Sequence, residues 1–237
     1  MPHWTSRQLQ DLLEKREPTA IFDRSIELAQ ALGMTHLGLR LHVQSAARGT
    51  NLLCYNNYPA EWNEQYEREE LSQIDPIRSM CHHTTLPVLW DEAHFAACPR
   101  YRHAACKHGL RHGWTQAVHG LRGFESHLSV SRPSGKIGMA EFYEKGAEVL
   151  WLCNTLHALI GEHHRVRLEA ESPVAHLSDR EMEVLRWSAA GKTAADIACI
   201  LSLSQSTVNF HIRSVITKTN ASNKAGAIAI AAMHGMI

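Results

Sequence analysis

Leu177-Ser178-Asp179-Arg180-Glu181-Met182-Glu183-Val184-Leu185-Arg186-Trp187, then Gly191-Lys192-Thr193, Asp196-Ile197-Ala198 and Ser202-Leu203-Ser204-Gln205-Ser206-Thr207-Val208-Asn209, fall within the last 61 residues of a 237-residue chain. Ser178 and Glu181 have the spacing of a capping box, in which the serine accepts from the third amide and the glutamate reaches back. The helix that follows turns Met182, Leu185 and Ala189 inward and stops at Gly191. Thr193 with Asp196 opens a second helix, with Ile197, Ile200 and Leu201 at i, i+3 and i+4. A short turn, Ser202-Leu203, leads to Ser204, an N-cap for a third helix. There Val208, Ile212 and Val215 share one face, and Ser206, Asn209, Arg213 and Thr217 the opposite one. Asn223 can cap a fourth helix, Lys224 to His234.

Two short helices, a tight turn and a third helix with a polar outer stripe describe a helix-turn-helix. Its third helix would lie in the major groove, where asparagine suits adenine, arginine suits guanine, and hydroxyls reach base edges or phosphates. Thr193, Ser204, Ser206, Thr207, Asn209, His211, Arg213 and Lys218 are the candidate DNA contacts. A helical dimerisation domain with a solvated polar face would show the same periodicity. From residue 176 onward six cations (Arg180, Arg186, Lys192, Arg213, Lys218, Lys224) face four acids (Asp179, Glu181, Glu183, Asp196). This excess is modest, so one copy should bind DNA weakly and two copies on a two-fold site would be needed.

Working outward, the pattern changes near residue 165. Residues 166–175, polar and containing Pro173, read as a linker. Before it, Thr5–Lys15, Thr19–Ala31, Ala60–Leu71 and Gly138–His164 read as helices. Leu37–Val43, Leu52–Asn56, Trp114–His119 and Phe124–Ser131 read as strands, the last two joined by a Gly120–Gly123 turn. Helices around hairpin-like strands predict an α+β fold: an N-terminal α/β/α sandwich on an antiparallel sheet, then an all-α four-helix domain. The boundaries are 1–165, 166–175 and 176–237.

The whole-chain balance excludes other classes. Lysine plus arginine and aspartate plus glutamate both total 24, with 44% apolar residues, which is neither a disordered nor a collagen-like composition. The longest apolar run, Ala225 to Met233, is far short of the roughly 18 residues of a membrane span. No secretory signal is visible, so a cytoplasmic protein without membrane attachment is expected. Six cysteines without a C-x-x-C are expected to be free thiols there. Cys81-His82-His83, Cys98, His103, Cys106, His108 and His112 could supply soft ligands, but their spacings match no closed zinc motif, so no metal is expected. No catalytic or phosphate-binding motif is present, so no enzyme is expected.

The C-terminal stretch, with Phe210-His211 and Asn223-Lys224, resembles the helix-turn-helix of LuxR-type transcription regulators. Glu181, Leu185 and Gly191 fall where that family nearly always keeps those residues. The family occurs in response regulators and in quorum-sensing receptors. The antiparallel pattern does not suit a receiver domain.

Tyr58, Trp62 and Tyr66 stand at i, i+4 and i+8, ahead of Asp75-Pro76 and Trp90. Aromatics at helical spacing commonly serve a core. A buried aspartate needs donors, because an unpaired buried polar group costs about 1–3 kcal/mol. With Pro59, Pro76, Gly109, Gly113 and Ser129, this set resembles the acyl-homoserine-lactone pocket of LuxR-type quorum-sensing receptors, including their orphan branch. The resemblance implies that Trp62 donates to a lactone carbonyl and Asp75 accepts from an amide N–H. Tyr58 and Ser129 would donate to the acyl carbonyl, and Tyr66 and Trp90 would wall the site. It implies a homodimer on an inverted-repeat DNA site, with dimer surfaces on Gly138–His164 and on Ala225, Ile228, Ala231 and Ala232. No cofactor is implied beyond the lactone. Arg40, Arg78, His82 and His127 depart from the pattern where the acyl tail should lie. Either they point outward, or the signal is a short, polar or aromatic acyl compound or no lactone at all. Activity without ligand is a further alternative.

Overall fold

The computed structural model describes residues 3–45, 49–120, 124–171, 177–233 and 236–237. The chain forms two compact units, one drawn from residues 1–43, 52–120 and 124–164 and one made chiefly of the residues from Arg165 onward. In order, the first contains α1 (Ser6–Glu14), α2 (Pro18–Ala31), β1 (His36–Ser45), β2 (Gly49–Asn56), α3 (Ala60–Arg68) and α4 (Pro76–Cys81). There follow β3 (Val88–Leu89), α5 (Glu92–Phe95), α6 (Pro99–Lys107), β4 (His112–His119) and β5 (Glu125–Arg132). The long α7 (Met139–Glu171) begins in this unit.

The strands form one sheet in the order β2-β1-β5-β4-β3. The β1–β5, β5–β4 and β4–β3 pairs are antiparallel. Register sorts the side chains, because directly paired residues point to the same face. Leu37–Val130–Trp114 and Leu39–Leu128–Gln116 are rows on one face. There Leu37, Leu39, Leu128, Val130 and Trp114 are buried with Leu12, Phe22 and Leu28 of α1 and α2 and with Val149, Leu152 and Leu156 of α7. Gly38–Ser129–Thr115, Arg40–His127–Ala117 and His42–Glu125–His119 are rows on the opposite face. Ala117 packs there with residues of α3 to α6, including Trp62, Ile77, Phe95 and Tyr101. The alternation seen in Leu37–Val43 thus sends its leucines to the helical core and its polar residues to a second core.

Gly113 marks a close backbone approach. A Cβ there would fall 2.2 Å from the Val130 carbonyl oxygen and 2.7 Å from Ser131 Cβ. Gly113→Ala should therefore cost about 1–3 kcal/mol, the usual range for overpacking. Gly138→Ala, whose methyl meets nothing within 4 Å, should be near neutral. Urea midpoints of the two variants check this.

Two sequence readings differ from the structure. Ala60–Leu71 is not one helix: α3 ends at Arg68, Glu70 takes a left-handed φ of 49°, and Leu71–Gln73 forms a 3₁₀ turn. The expected linker 166–175 is helical as far as Glu171, because Arg165 to Glu171 contains no breaker before Ser172-Pro173. The Gly120–Gly123 turn falls mainly on residues outside those described.

The second unit contains α8 (Asp179–Ala189), α9 (Ala194–Leu201), α10 (Gln205–Lys218) and α11 (Lys224–Met233). Ser178 and Glu181 form the expected capping box, as do Thr193 and Asp196. Ser204 accepts from the Thr207 amide at 3.1 Å, and Asn223 Oδ1 from the Gly226 amide at 2.8 Å. Helix phase differs from expectation. In α8 the buried residues are Glu181, Val184, Leu185 and Ser188, while Ala189 is exposed. In α9 Ala198 is buried and Ile200 is 43% exposed. The cause in α8 is Glu181, whose carboxylate is drawn inward by Ser214 and Lys218 of α10.

Candidate ligand cavity and nucleic-acid face

On the polar face of the sheet lies a cavity of about 320 Å³. Tyr58, Trp62, Tyr66, Asp75, Trp90 and Ser129 all line it. Several local devices bring them there. Pro59 precedes α3, which carries Trp62 and Tyr66 one turn apart, with ring centroids 5.5 Å apart. Asp75 N-caps α4: its Oδ1 accepts from the Ile77 and Arg78 amides at 3.1 and 3.2 Å. Its Oδ2 accepts from the Tyr66 hydroxyl and from Arg40 Nη1, both at 3.1 Å. The buried aspartate therefore has the donors its burial demands.

Trp90 Nε1 donates to Thr115 Oγ1 at 3.0 Å, and that hydroxyl lies 2.9 Å from Ser129 Oγ. If Thr115 accepts from the indole and donates to Ser129, the Ser129 hydroxyl proton is left for the cavity. Gly38 explains how Tyr58 comes so near the sheet: a Cβ there would lie 2.1 Å from the Tyr58 hydroxyl. Burial pushes the Tyr58 hydroxyl up to about 12, with Arg40 and Ser129 pulling the other way. Burial and the Asp75 carboxylate push Tyr66 up as well. Both phenols are neutral donors at ordinary pH.

Arg40, Arg78 and His127 also line the cavity, so the outward-pointing reading does not hold for them. Arg40 stacks 4.7 Å from the Tyr66 ring centroid. Burial opposes its charge, and Tyr66 and Asp75 outweigh that effect. His82 is not among the lining residues; its Nδ1 lies 2.9 Å from Glu125 Oε2. Phe95, Tyr101 and Leu110 line the cavity too, and sequence reasoning missed them because α5 and α6 were not recognised. Asp91, which caps α5, and Pro99 at the first turn of α6 were the available signals.

On α10, Ser206, Asn209, Phe210, Arg213 and Thr217 are exposed and Val208 and Val215 are buried. The outer stripe has the expected spacing. Phe210, 67% exposed within it, was missed; a thymine methyl is a suitable contact for such a ring. Thr193 and Ser204 cap α9 and α10. Thr207 and His211 are half-buried. Lys218 serves the structure of the unit, since its Nζ donates to Glu181 Oε2 at 2.7 Å. Desolvation would raise the Glu181 pKa, but hydrogen bonds from Lys218, Ser214 and Ser178 outweigh it and hold the carboxyl at about 2.

A small-molecule cavity on one unit and a helix-turn-helix on the other define a ligand-binding transcriptional regulator. The autoinducer binding domain matches residues 17–159, and the DNA-binding domain of bacterial regulatory proteins of the luxR family matches residues 175–231. The transcriptional activator AnoR of Acinetobacter nosocomialis is 26% identical over the full length of both chains. The regulatory protein SdiA of Escherichia coli is 34% identical over 77% of this chain and 75% of its own. A crystal structure of SdiA superposes with a TM-score of 0.79 at 29% identity, covering 98% of this chain and 96% of that one. SdiA in complex with octanoyl-rac-glycerol gives 0.76 at 29% identity, covering 96% of this chain and 94% of that one. The chain belongs to the LuxR family of transcriptional regulators with an autoinducer-binding domain, which are not enzymes. Among the described residues, no helix is long and apolar enough to cross a membrane.

Proposed function

We propose that the chain is a quorum-sensing regulator whose first unit binds an N-acyl-homoserine lactone. As a homodimer in the cytoplasm, it binds an inverted-repeat promoter site through its second unit. The convergence of Tyr58, Trp62, Asp75 and Ser129 on one cavity carries the lactone reading. A lactone carbonyl, an amide N–H and an acyl carbonyl leave water together, and each must find a partner. Trp62 donates to the first, Asp75 accepts from the second, and Tyr58 and Ser129 donate to the third. This role itself needs no cofactor.

The tail is short or polar. A volume of 320 Å³ lies near the lower end of the roughly 300–1,000 Å³ common for ligand pockets. Arg40 and Arg78 would meet a long alkyl chain with charged groups that alkane cannot solvate. Binding of octanoyl-rac-glycerol by SdiA supports an acylated polar head in this fold. Thermal stabilisation of the full chain should be largest for butanoyl- or 3-oxohexanoyl-homoserine lactone and fall towards dodecanoyl. Equal stabilisation across the series would contradict the short-tail reading.

Met139, Tyr143 and Leu150, at i, i+4 and i+11 on α7, are 51%, 72% and 44% exposed, which supports an apolar contact between copies. On α11 Ala227 and Ala231 are spent inside the unit's own core, which leaves Ala225 and Ala232 outside. Arg213→Ala should weaken binding to a two-fold site selected from random DNA by about 1–3 kcal/mol, the value of one bidentate base contact. Fluorescence anisotropy at fixed salt measures it.

One observation favours a second reading, in which the chain folds and binds DNA without ligand. Arg40 supplies the counter-ion for Asp75 from within the chain. Arg40→Met should then make soluble yield depend on added lactone, while the parent's yield does not.

A further inference from the structure

We propose that the polar face of the sheet holds a zinc-class divalent cation, bound by His82, Glu125 and His127 with His42 as fourth ligand. The register builds this site. His42 and Glu125 are paired across β1 and β5, and His127 follows Glu125 by two on β5, so the three share a face. His82 reaches the same spot from the C-terminal cap of α4. Among the described residues, His82, Glu125 and His127 are the side chains whose ligand atoms all lie within 4.8 Å of one another.

The three imidazoles form a nearly equilateral triangle. Their centroids are 5.2 Å apart for His42–His82, 5.4 Å for His42–His127 and 5.3 Å for His82–His127. Glu125 adds the anionic donor, with Oε2 at 2.9 Å from His82 Nδ1 and Oε1 hydrogen-bonded to His127 Nε2. His42 is buried, and its Nε2 has no hydrogen-bond partner. Such an orphaned atom calls for a water or an ion.

Three imidazoles and a carboxylate are a donor set that suits zinc, with copper and nickel as competitors. Zinc–nitrogen bonds of about 2.0–2.1 Å put tetrahedral donors about 3.3 Å apart. The ligand atoms of His82, Glu125 and His127 need to draw together by roughly 1.5 Å at their widest, and the His42 ring, 5.2 and 5.4 Å from those of His82 and His127, must turn in to join them. Each imidazole would present its lone pair to the ion and carry its proton on the other nitrogen. No short-range motif announces the site, because its ligands come from residues 42, 82, 125 and 127. The site rests on the β1–β5 register and the end of α4, whichever molecule the cavity binds.

The test uses the full-length chain, freed of metal and titrated with Zn²⁺ against a chromogenic chelator. Retained metal is measured by elemental mass spectrometry after gel filtration. One zinc per chain is expected, with affinity at least tenfold weaker in His82→Gln and Glu125→Gln and unchanged in Cys98→Ser. The Co²⁺-loaded parent should show tetrahedral visible bands that His82→Gln lacks. Should a variant misfold, the parent's own melting temperature, with Zn²⁺ against chelator, decides: a rise supports the site and no rise overturns it. No retained zinc in the parent, or equal affinity in His82→Gln, would also overturn it.

Discussion

Asp75→Ala should lower the stability of the first unit by about 3–5 kcal/mol, the cost of removing one partner of a buried ion pair. It should also abolish stabilisation by any acyl-homoserine lactone. The Asp75 side chain is 4% exposed and accepts from four donors. Alanine would leave Arg40 charged and without its carboxylate, two amides of α4 uncapped, and the Tyr66 hydroxyl without its acceptor. That loss is a large share of the roughly 5–15 kcal/mol that holds a typical protein folded. Arg40→Met/Asp75→Asn should recover part of the stability, because the unpaired charge disappears. It should not recover the ligand response, because the carboxylate acceptor is gone. Urea unfolding followed by tryptophan fluorescence, with and without lactone, separates the two. A single variant within about 1 kcal/mol of the parent would contradict a 3–5 kcal/mol cost.

The second large effect is Glu181→Ala, expected to unfold the DNA-binding unit although no residue of its outer stripe changes. The Glu181 side chain is 6% exposed and accepts from the Ser178 amide, Ser214 Oγ and Lys218 Nζ. Losing it takes the carboxylate away from a half-buried ammonium and two polar donors, about 2–3 kcal/mol because the Lys218 ammonium, 32% exposed, can still reach water, in a unit small enough to be marginal. The sign with pH follows from its depressed pKa, about 2 against a reference of 4.5. Its stabilising contribution is complete above about 4.5 and is lost as the pH falls from there towards 2. Glu181→Gln should remove that acid dependence. Helical circular dichroism of the full chain across pH 2–6 records the difference, and parallel acid profiles for parent and Glu181→Gln would count against the assignment.

The elements legible in sequence were those with strong local signals. Capping boxes at Ser178/Glu181 and Thr193/Asp196 set both helix starts. The period-2 leucines of Leu37–Val43 set β1 and its two faces. What failed depended on tertiary partners. Helix α8 is rotated by one residue because a buried glutamate pairs with Lys218 thirty-seven positions away, and no hydrophobic count registers that. α5, with four residues, is too short for periodicity, and α6, with a charged sequence between Pro99 and Lys107, shows no clear apolar stripe, so the Phe95 and Tyr101 walls of the cavity were not foreseen. In the cavity itself, resemblance named the residues that converge. It could not say whether Arg40 points in or out; the pairing of Arg40 with His127 across β1 and β5 places it on the cavity face.

The receptor reading stands most directly on what the first unit carries. Full-length protein should be produced in cells supplied with a panel of acyl-homoserine lactones and with a culture extract, and its bound small molecules extracted and identified by mass spectrometry. One short or polar-tailed lactone at about one per chain, absent from Asp75→Ala, is the predicted result. Soluble parent protein that carries no lactone, is stabilised by none of the panel and still binds its DNA site would contradict it.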